Sequence, residues 1–283
     1  MAGSAVFLGT WGSSLSPGLM FNPQVAQLAG TDVMTVIASF TMQAVVGLVV
    51  AAILLNIVAI VKKEHTGYVL ESHSEDSKEF KVNYLYAIIP IIPLVLLVLG
   101  SKQVAVIPEI SVPVSMLIGT AIGIVAVRPN VTDAVKKFFR GTGDGMCDVV
   151  GLMAAAACFT AGMQHIGLTS ALIDGMKNSQ QIAQIGGAAF GPFLLAVISG
   201  SGNAAALAFN GAVTPHAADF GYGIMELGSM AQLGGAGIGR SMSPVAGAGI
   251  IIAGLAGINP MELAKRNAVP CVAATVVIML LLL

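Results

Sequence analysis

One arginine, Arg240, stands in the uncharged stretch GIGRSMSP, with no other charge between Glu226 and Glu262. About forty residues earlier the chain reads Ser199-Gly200-Ser201-Gly202-Asn203. The chemistry on offer is anion recognition. Glycines let a second backbone approach closely, and the NH groups of a helix starting there carry roughly half a positive charge. Ser201 and Asn203 add neutral donors, so a carboxylate could bind the tip without a buried cation. Arg240 either meets a bound carboxylate or shapes the site. The bland alternatives are an ion pair with Glu226 or Asp219, snorkelling to an interface, and, for the tip, a glycine-rich turn or small-residue helix packing. A third group, Ser14, Ser16, Ser241, Ser243 and Pro244, sits at two proline-bearing breaks. These serines would bind substrate or satisfy carbonyls freed by the breaks.

The elements that must hold these residues are membrane spans. Of 283 residues 56% are hydrophobic and 10% are charged, against about 25% charge in soluble domains. That excludes a soluble enzyme and a disordered chain, and a net charge of -1 excludes a nucleic-acid surface. The start has no basic n-region, so it is not a signal peptide. Charge-free runs at 33–61, 82–101, 110–127, 149–173, 178–218, 241–261 and 267–283 are mostly of the length, about 20 residues, that a spanning helix needs. The expected class is an all-α polytopic membrane protein. Asp32 is placed to cap the long span 33–61. Residues 62–81 hold 9 of the 27 charges and form a solvated loop. Residues 128–148 form a charged, amphipathic linker, and 168–180 a short polar stretch. Helix should stop at SGSGN and at GRSMSP, where glycine and proline weaken it. Broken backbone at that depth needs protein or a water-filled cavity around it.

Lysine and arginine counts set the topology. Loop 62–81, linker 128–142 and Lys265–Arg266 are expected in the cytoplasm, with 102–108 and 168–180 outside. Residues 9–34 align without gaps to 236–261, Ser14 on Ser241, an offset of 227 positions with 9 of 26 identical. Chance would give about two or three. If 181–214 is a re-entrant hairpin, the copies run in opposite directions, as in secondary transporters with a midplane site. If 181–199 crosses fully, they are parallel. Asp144, Asp148, His165, His216 and Asp219 could couple protons; otherwise the first two cap the span at 149 and the last two lie in an outer loop. Cys147, Cys158 and Cys271 are too scattered for a disulfide frame or zinc site. No phosphate-loop, HExxH or GxSxG motif supports an enzyme, and no cofactor or metal is expected.

The segments SGSGNAAALAFN and QLGGAGIGRSMSPVAGAGIIIAGLAGINPMELAKRNAVP resemble the C-terminal part of the DcuC-type anaerobic C4-dicarboxylate carriers. The shared features are the GSGNA tip at Gly200–Ala204, the break at Gly239–Pro244, the turn at Ala256–Met261 and the start of the last span at Lys265–Pro270. FFRGTGDGMCDVV in the linker is similar too. The resemblance implies the ion-transporter superfamily fold, with two inverted repeats, each a re-entrant hairpin and a broken helix. It implies secondary transport of fumarate, succinate or similar dicarboxylates, by exchange or efflux, across the inner membrane of anaerobic bacteria, and a homodimer. On that template residues 1–61 are the remnant of repeat one, 62–81 a cytoplasmic loop, and 82–283 repeat two. Repeat two holds its hairpin at about 181–214, its broken helix at about 225–257 and its last span at 262–283. The chain opens at the first broken helix, so the template implies an N-terminally truncated member. The alternatives are a carrier of another carboxylate or an amino acid on the same fold, or a non-transporting fragment.

Overall fold

The computed structural model describes residues 2–64, 83–101, 104–177 and 181–283, and all regular structure among them is helical. Most of the charged 62–81 loop lies outside the described residues. The chain divides into two compact units, Met1–Val58 with Cys147–Leu283, and Ala59–Met146.

The first unit begins with α1 (Ala2–Ser13) and α2 (Phe21–Ala29), separated by turns around Pro17, and continues into α3 (Val33–Val61). Thr35 N–H donates to Asp32 Oδ1 at 3.0 Å, so the aspartate caps α3. One face of α3, including Val36, Phe40, Ala44 and Ala51, is buried, yet Met42, Val49, Ile53, Ile57 and Ile60 are exposed. A helix apolar on every side suits lipid, not water. Phe7 and Trp11 of α1 stack at 5.2 Å and join the same core.

The second unit contains α4 (Tyr84–Ile88), a 3₁₀ turn (Ile89–Ile91), α5 (Ile92–Leu99), α6 (Val112–Val127) and α7 (Val131–Gly145). The expected span 82–101 is not one α-helix, because Pro90 and Pro93 each remove a backbone donor. A side chain at Gly119 of α6 would collide with the Pro93 ring. The chain turns sharply after α6, with Arg128 in the left-handed region (φ 46) and Asn130 capping α7 by accepting from Thr132 N–H at 3.0 Å. Asp144 does not cap a span at 149. Helical bonding runs past it through a π turn, Met146–Val150, into α8 (Gly151–His165).

The first unit resumes with α8 and α9 (Leu168–Lys177), so the expected polar stretch 168–180 is largely a helix, in which Ile173 is buried. Then come the helical hairpin α10 (Gln181–Ser199) and α11 (Gly202–Ala212), a 3₁₀ segment (Thr214–Phe220), and α12 (Ile224–Ser229). Helix continues through a π segment, Met230–Gly237, into α13 (Ile238–Met242), stops at Ser243, and resumes as α14 (Gly247–Leu255) and α15 (Pro260–Leu282). Three described segments are long and apolar enough to cross a membrane: Val33–Val61, Ile224–Leu255 and Pro260–Leu282. Shorter apolar helices cover Tyr86–Leu99, Val112–Val127 and Gly186–Ser199. The architecture is that of a polytopic membrane protein.

The offset seen in sequence reappears in the element boundaries. α3 starts at Val33 and α15 at Pro260. Asp32 caps the first and Asn259 the second, accepting from Met261 N–H at 2.8 Å. Gly30 and Gly257, matched across the repeat, both turn left-handed, at φ 63 and 64.

Candidate functional site

The two breaks and the hairpin tip meet within the first unit. Contacts between the broken helices run in opposite chain directions. Thr10 Oγ1 hydrogen-bonds Ser241 Oγ, a side chain added at Gly237 would lie 3.3 Å from Ser14 Oγ, and one at Gly228 would lie 2.9 Å from Val25. Moving each partner by the 227-residue offset turns the Thr10–Ser241 pair into Ser14–Gly237. The two helices therefore cross antiparallel, with each break beside the other.

Thr10, Ser13, Ser14, Gly202, Asn203 and Arg240 line a small cavity at this crossing. It has room for about one water molecule. The tip approaches the second broken helix closely through its backbone. Gly200 (φ 71) packs on Val245, with 2.9 Å from a built side chain to its carbonyl, and Gly202 packs on the Ala236 carbonyl. A side chain at Gly239 would strike the Phe193 carbonyl of α10. Glycine is required at these positions because two backbones share the space. Ser201 caps α11, accepting from Ala204 N–H at 3.2 Å. Gly202 and Asn203, the first residues of α11, thus bring its electropositive end to the cavity.

The acceptors at the first break are taken. Asn22 Nδ2 donates to the Ser14 and Ser16 carbonyls at 3.0 and 2.9 Å, and Gln232 Nε2 fixes Asn22 Oδ1 at 2.7 Å. At the second break Asn267 Nδ2 donates to the Ser241 carbonyl at 2.9 Å. Thr275 Oγ1 donates to the Gly234 carbonyl within the π segment at 2.6 Å. With these carbonyls neutralised, Arg240 and the start of α11 set the sign of the cavity, and it favours an anion. Arg240 Nε is buried and has no hydrogen-bond partner. Among the described residues Arg240 forms neither of the alternative ion pairs: Glu226 accepts from Gly223 N–H at 2.9 Å, and Asp219 lies 3.5 Å from His216.

Of the residues singled out in the sequence, Ser14, Gly202, Asn203 and Arg240 line the cavity. Ser241 reaches the crossing through Thr10, and Gly239 packs beside it. Ser199 and Ser201 are engaged with each other, Ser16 Oγ accepts from Gly18 N–H, and Ser243 Oγ accepts from Val245 N–H. Pro244 lies in the turn itself. Asp144 and His165 are exposed and are not among the residues that line the cavity, and the side chain of Asp148 is outside what is described. Sequence reasoning missed Thr10, Asn22, Gln232 and Asn267. Asn22 and Gln232 are fully buried; the signal for Asn22 was an amide beside a proline break, and for Gln232 an amide in an otherwise apolar, glycine-rich segment. Among the described residues no His, Cys, Asp or Glu cluster could hold a metal ion.

The family model for C4-dicarboxylate anaerobic carriers, DcuC, matches residues 2–283. A putative uncharacterized transporter of Haemophilus influenzae is 37% identical over 280 residues, 95% of this chain and 100% of that protein. The anaerobic C4-dicarboxylate transporter DcuC of Escherichia coli K12 is 30% identical over 223 residues, 77% of this chain and 48% of that carrier. A probable carrier of the same name from Vibrio cholerae is 27% identical over 234 residues, again 77% of this chain and 49% of that protein. The chain thus spans about half the length of these two carriers. No solved structure matches. A family match over nearly the whole chain, on a helical membrane fold, makes this polypeptide a transport protein and not an enzyme: it belongs to the DcuC family of C4-dicarboxylate anaerobic carriers.

Proposed function

We propose that the chain serves secondary transport of C4-dicarboxylates, by fumarate–succinate exchange or succinate efflux, across a bacterial inner membrane. The observation that carries this is Arg240. Arg240, whose Nε is buried without a hydrogen-bond partner, lines a cavity shared with the N-terminal end of α11. A substrate carboxylate would supply the missing acceptor. Ser14, Asn203 and the tip glycines would position it. Ser199, Gly200, Ser201, Ser16, Ser241, Ser243 and Pro244 would hold the tip and the breaks in place around it. The antiparallel crossing supports an inverted repeat, with the hairpin re-entrant and the two breaks near the bilayer midplane. The cavity as it stands is too small for a whole dicarboxylate. Entry therefore requires the hairpin and the broken helices to part, by rocking or by an elevator motion.

The test is uptake by proteoliposomes loaded with unlabelled succinate. Labelled fumarate should enter by exchange. Robust uptake of a monocarboxylate or an amino acid without fumarate would overturn the dicarboxylate assignment. That second reading has one observation in its favour, since the cavity holds a single cation and so fixes one carboxylate. Uptake of none of these would mark the chain as non-transporting alone. Arg240→Gln should weaken dicarboxylate transport at least tenfold, about 1.4 kcal/mol. Unchanged kinetics would reduce Arg240 to scaffolding.

A further inference from the structure

The helix α7 supplies none of the residues that line the cavity, and its own composition is distinctive. At 3.6 residues per turn, Val131, Ala134, Val135, Phe138 and Phe139 fall within an arc of about 140°. Lys136, Lys137 and Arg140 occupy the opposite side, with Asp133 and Asp144 among them within an arc of about 100°. No side chain of α7 is buried. Val131 is 77% exposed, Val135 48% and Phe139 69%. The two phenyl rings pack edge to face at 5.8 Å in the open. Such a face would not be left to water.

Its surroundings say what covers it. Along the chain α7 follows one apolar helix, α6, and precedes another, α8, the place of a segment that joins two membrane-buried stretches at a membrane surface. Arg128, Lys136, Lys137 and Arg140 outnumber Asp133 and Asp144 in this stretch, and Asp133 stands in the first turn, where the free NH groups of the helix offset its charge. The polar face is therefore basic. Gly141, Gly143 and Gly145 have open space where side chains would go, so packing does not demand them. Each weakens the helix interior, which lets the chain bend before the next span. A basic face, an apolar face with paired aromatics and a yielding end are the features of a helix lying in a lipid interface.

We propose that α7 is an interfacial helix, its apolar face inserted among acyl chains and its basic face drawing on anionic phospholipid headgroups. The proposal holds whatever the carrier's cargo. The test uses the whole chain with the exposed Cys147 and Cys158 replaced by serine; Cys271 is fully buried and escapes labelling. Single cysteines at 135, 136, 139 or 140 are spin-labelled in vesicles of phosphatidylethanolamine with phosphatidylglycerol, and in phosphatidylcholine alone. Labels at 135 and 139 should collide with oxygen, and labels at 136 and 140 with an aqueous nickel chelate. Lys136→Gln, Lys137→Gln and Arg140→Gln, made together in the 135 and 139 backgrounds, should shift those labels toward water, about fivefold per charge removed. Neutral vesicles should do the same. Labels at 135 and 139 shielded from both reagents would mean that protein covers the face, and the proposal fails. It fails equally if those labels face water, or if anionic and neutral vesicles give the same result.

Discussion

The two breaks share a sequence pattern but are held differently. At the first, the cap is local: Asn22, eight residues past Ser14, takes the carbonyls of Ser14 and Ser16 and is itself fixed by Gln232. At the second, the Ser241 carbonyl is served from another helix, by Asn267 on α15. The position matching Asn22 is Gly249, where a side chain would come 3.4 Å from the Ser243 carbonyl. The matched glycines differ too. A side chain at Gly12 meets nothing within 4 Å, whereas one at Gly239 meets the Phe193 backbone. Position 13 is serine where position 240 is arginine. The first copy caps its own carbonyls with an amide that leans on Gln232, while the second is tied to the hairpin and α15 and carries the charge. Of the two matched kinks, only the second carries a cation.

The widest difference should appear on removing the two amides. Asn22→Ala strands the Ser14 carbonyl and the Gln232 amide, at about 1–3 kcal/mol each, so a loss of about 4 kcal/mol is expected. Asn267→Ala strands one carbonyl and should lose about 2 kcal/mol. Unfolding by SDS titration in mixed micelles measures both, and equal losses would erase the contrast between a local and a distant cap. Next come the glycines. Gly239→Ala should cost about 2–3 kcal/mol by overpacking, and Gly12→Ala close to nothing. A comparable loss at both sites would mean that the first copy is packed as tightly as the second. The smallest effect is expected for Thr275→Val, which keeps the shape and loses the bond to the π segment, about 1 kcal/mol. If its melting point matches that of the unaltered chain, the π segment does not depend on α15.

Much of this site was legible in the sequence because glycine and proline act locally. SGSGN and SMSP break a helix wherever they stand, and Arg240 announces itself by being alone. Asp32 was legible as a cap for the same reason, next to its helix. Asn267 was not, since the carbonyl it serves lies 26 residues away, and nothing in NAVPCVAA says which way an amide points. The Asp32–Asn259 correspondence was hidden because the two residues differ, although either can cap a helix. The interruption between α4 and α5 was missed because apolar content was weighed above Pro90 and Pro93. The short helix α9 was missed because its polar residues obscure the apolar ones that anchor it, Ile173 among them.

The reciprocal pairing of Thr10 with Ser241 and Ser14 with Gly237 has a mechanical corollary. Because each pairing is the other's image about a centre between Gly12 and Gly239, a slide of one helix along its neighbour disturbs both together, and so does a swivel about that centre. The junction therefore fixes both the register and the angle of the two kinks, as a pair of pins does between two bars.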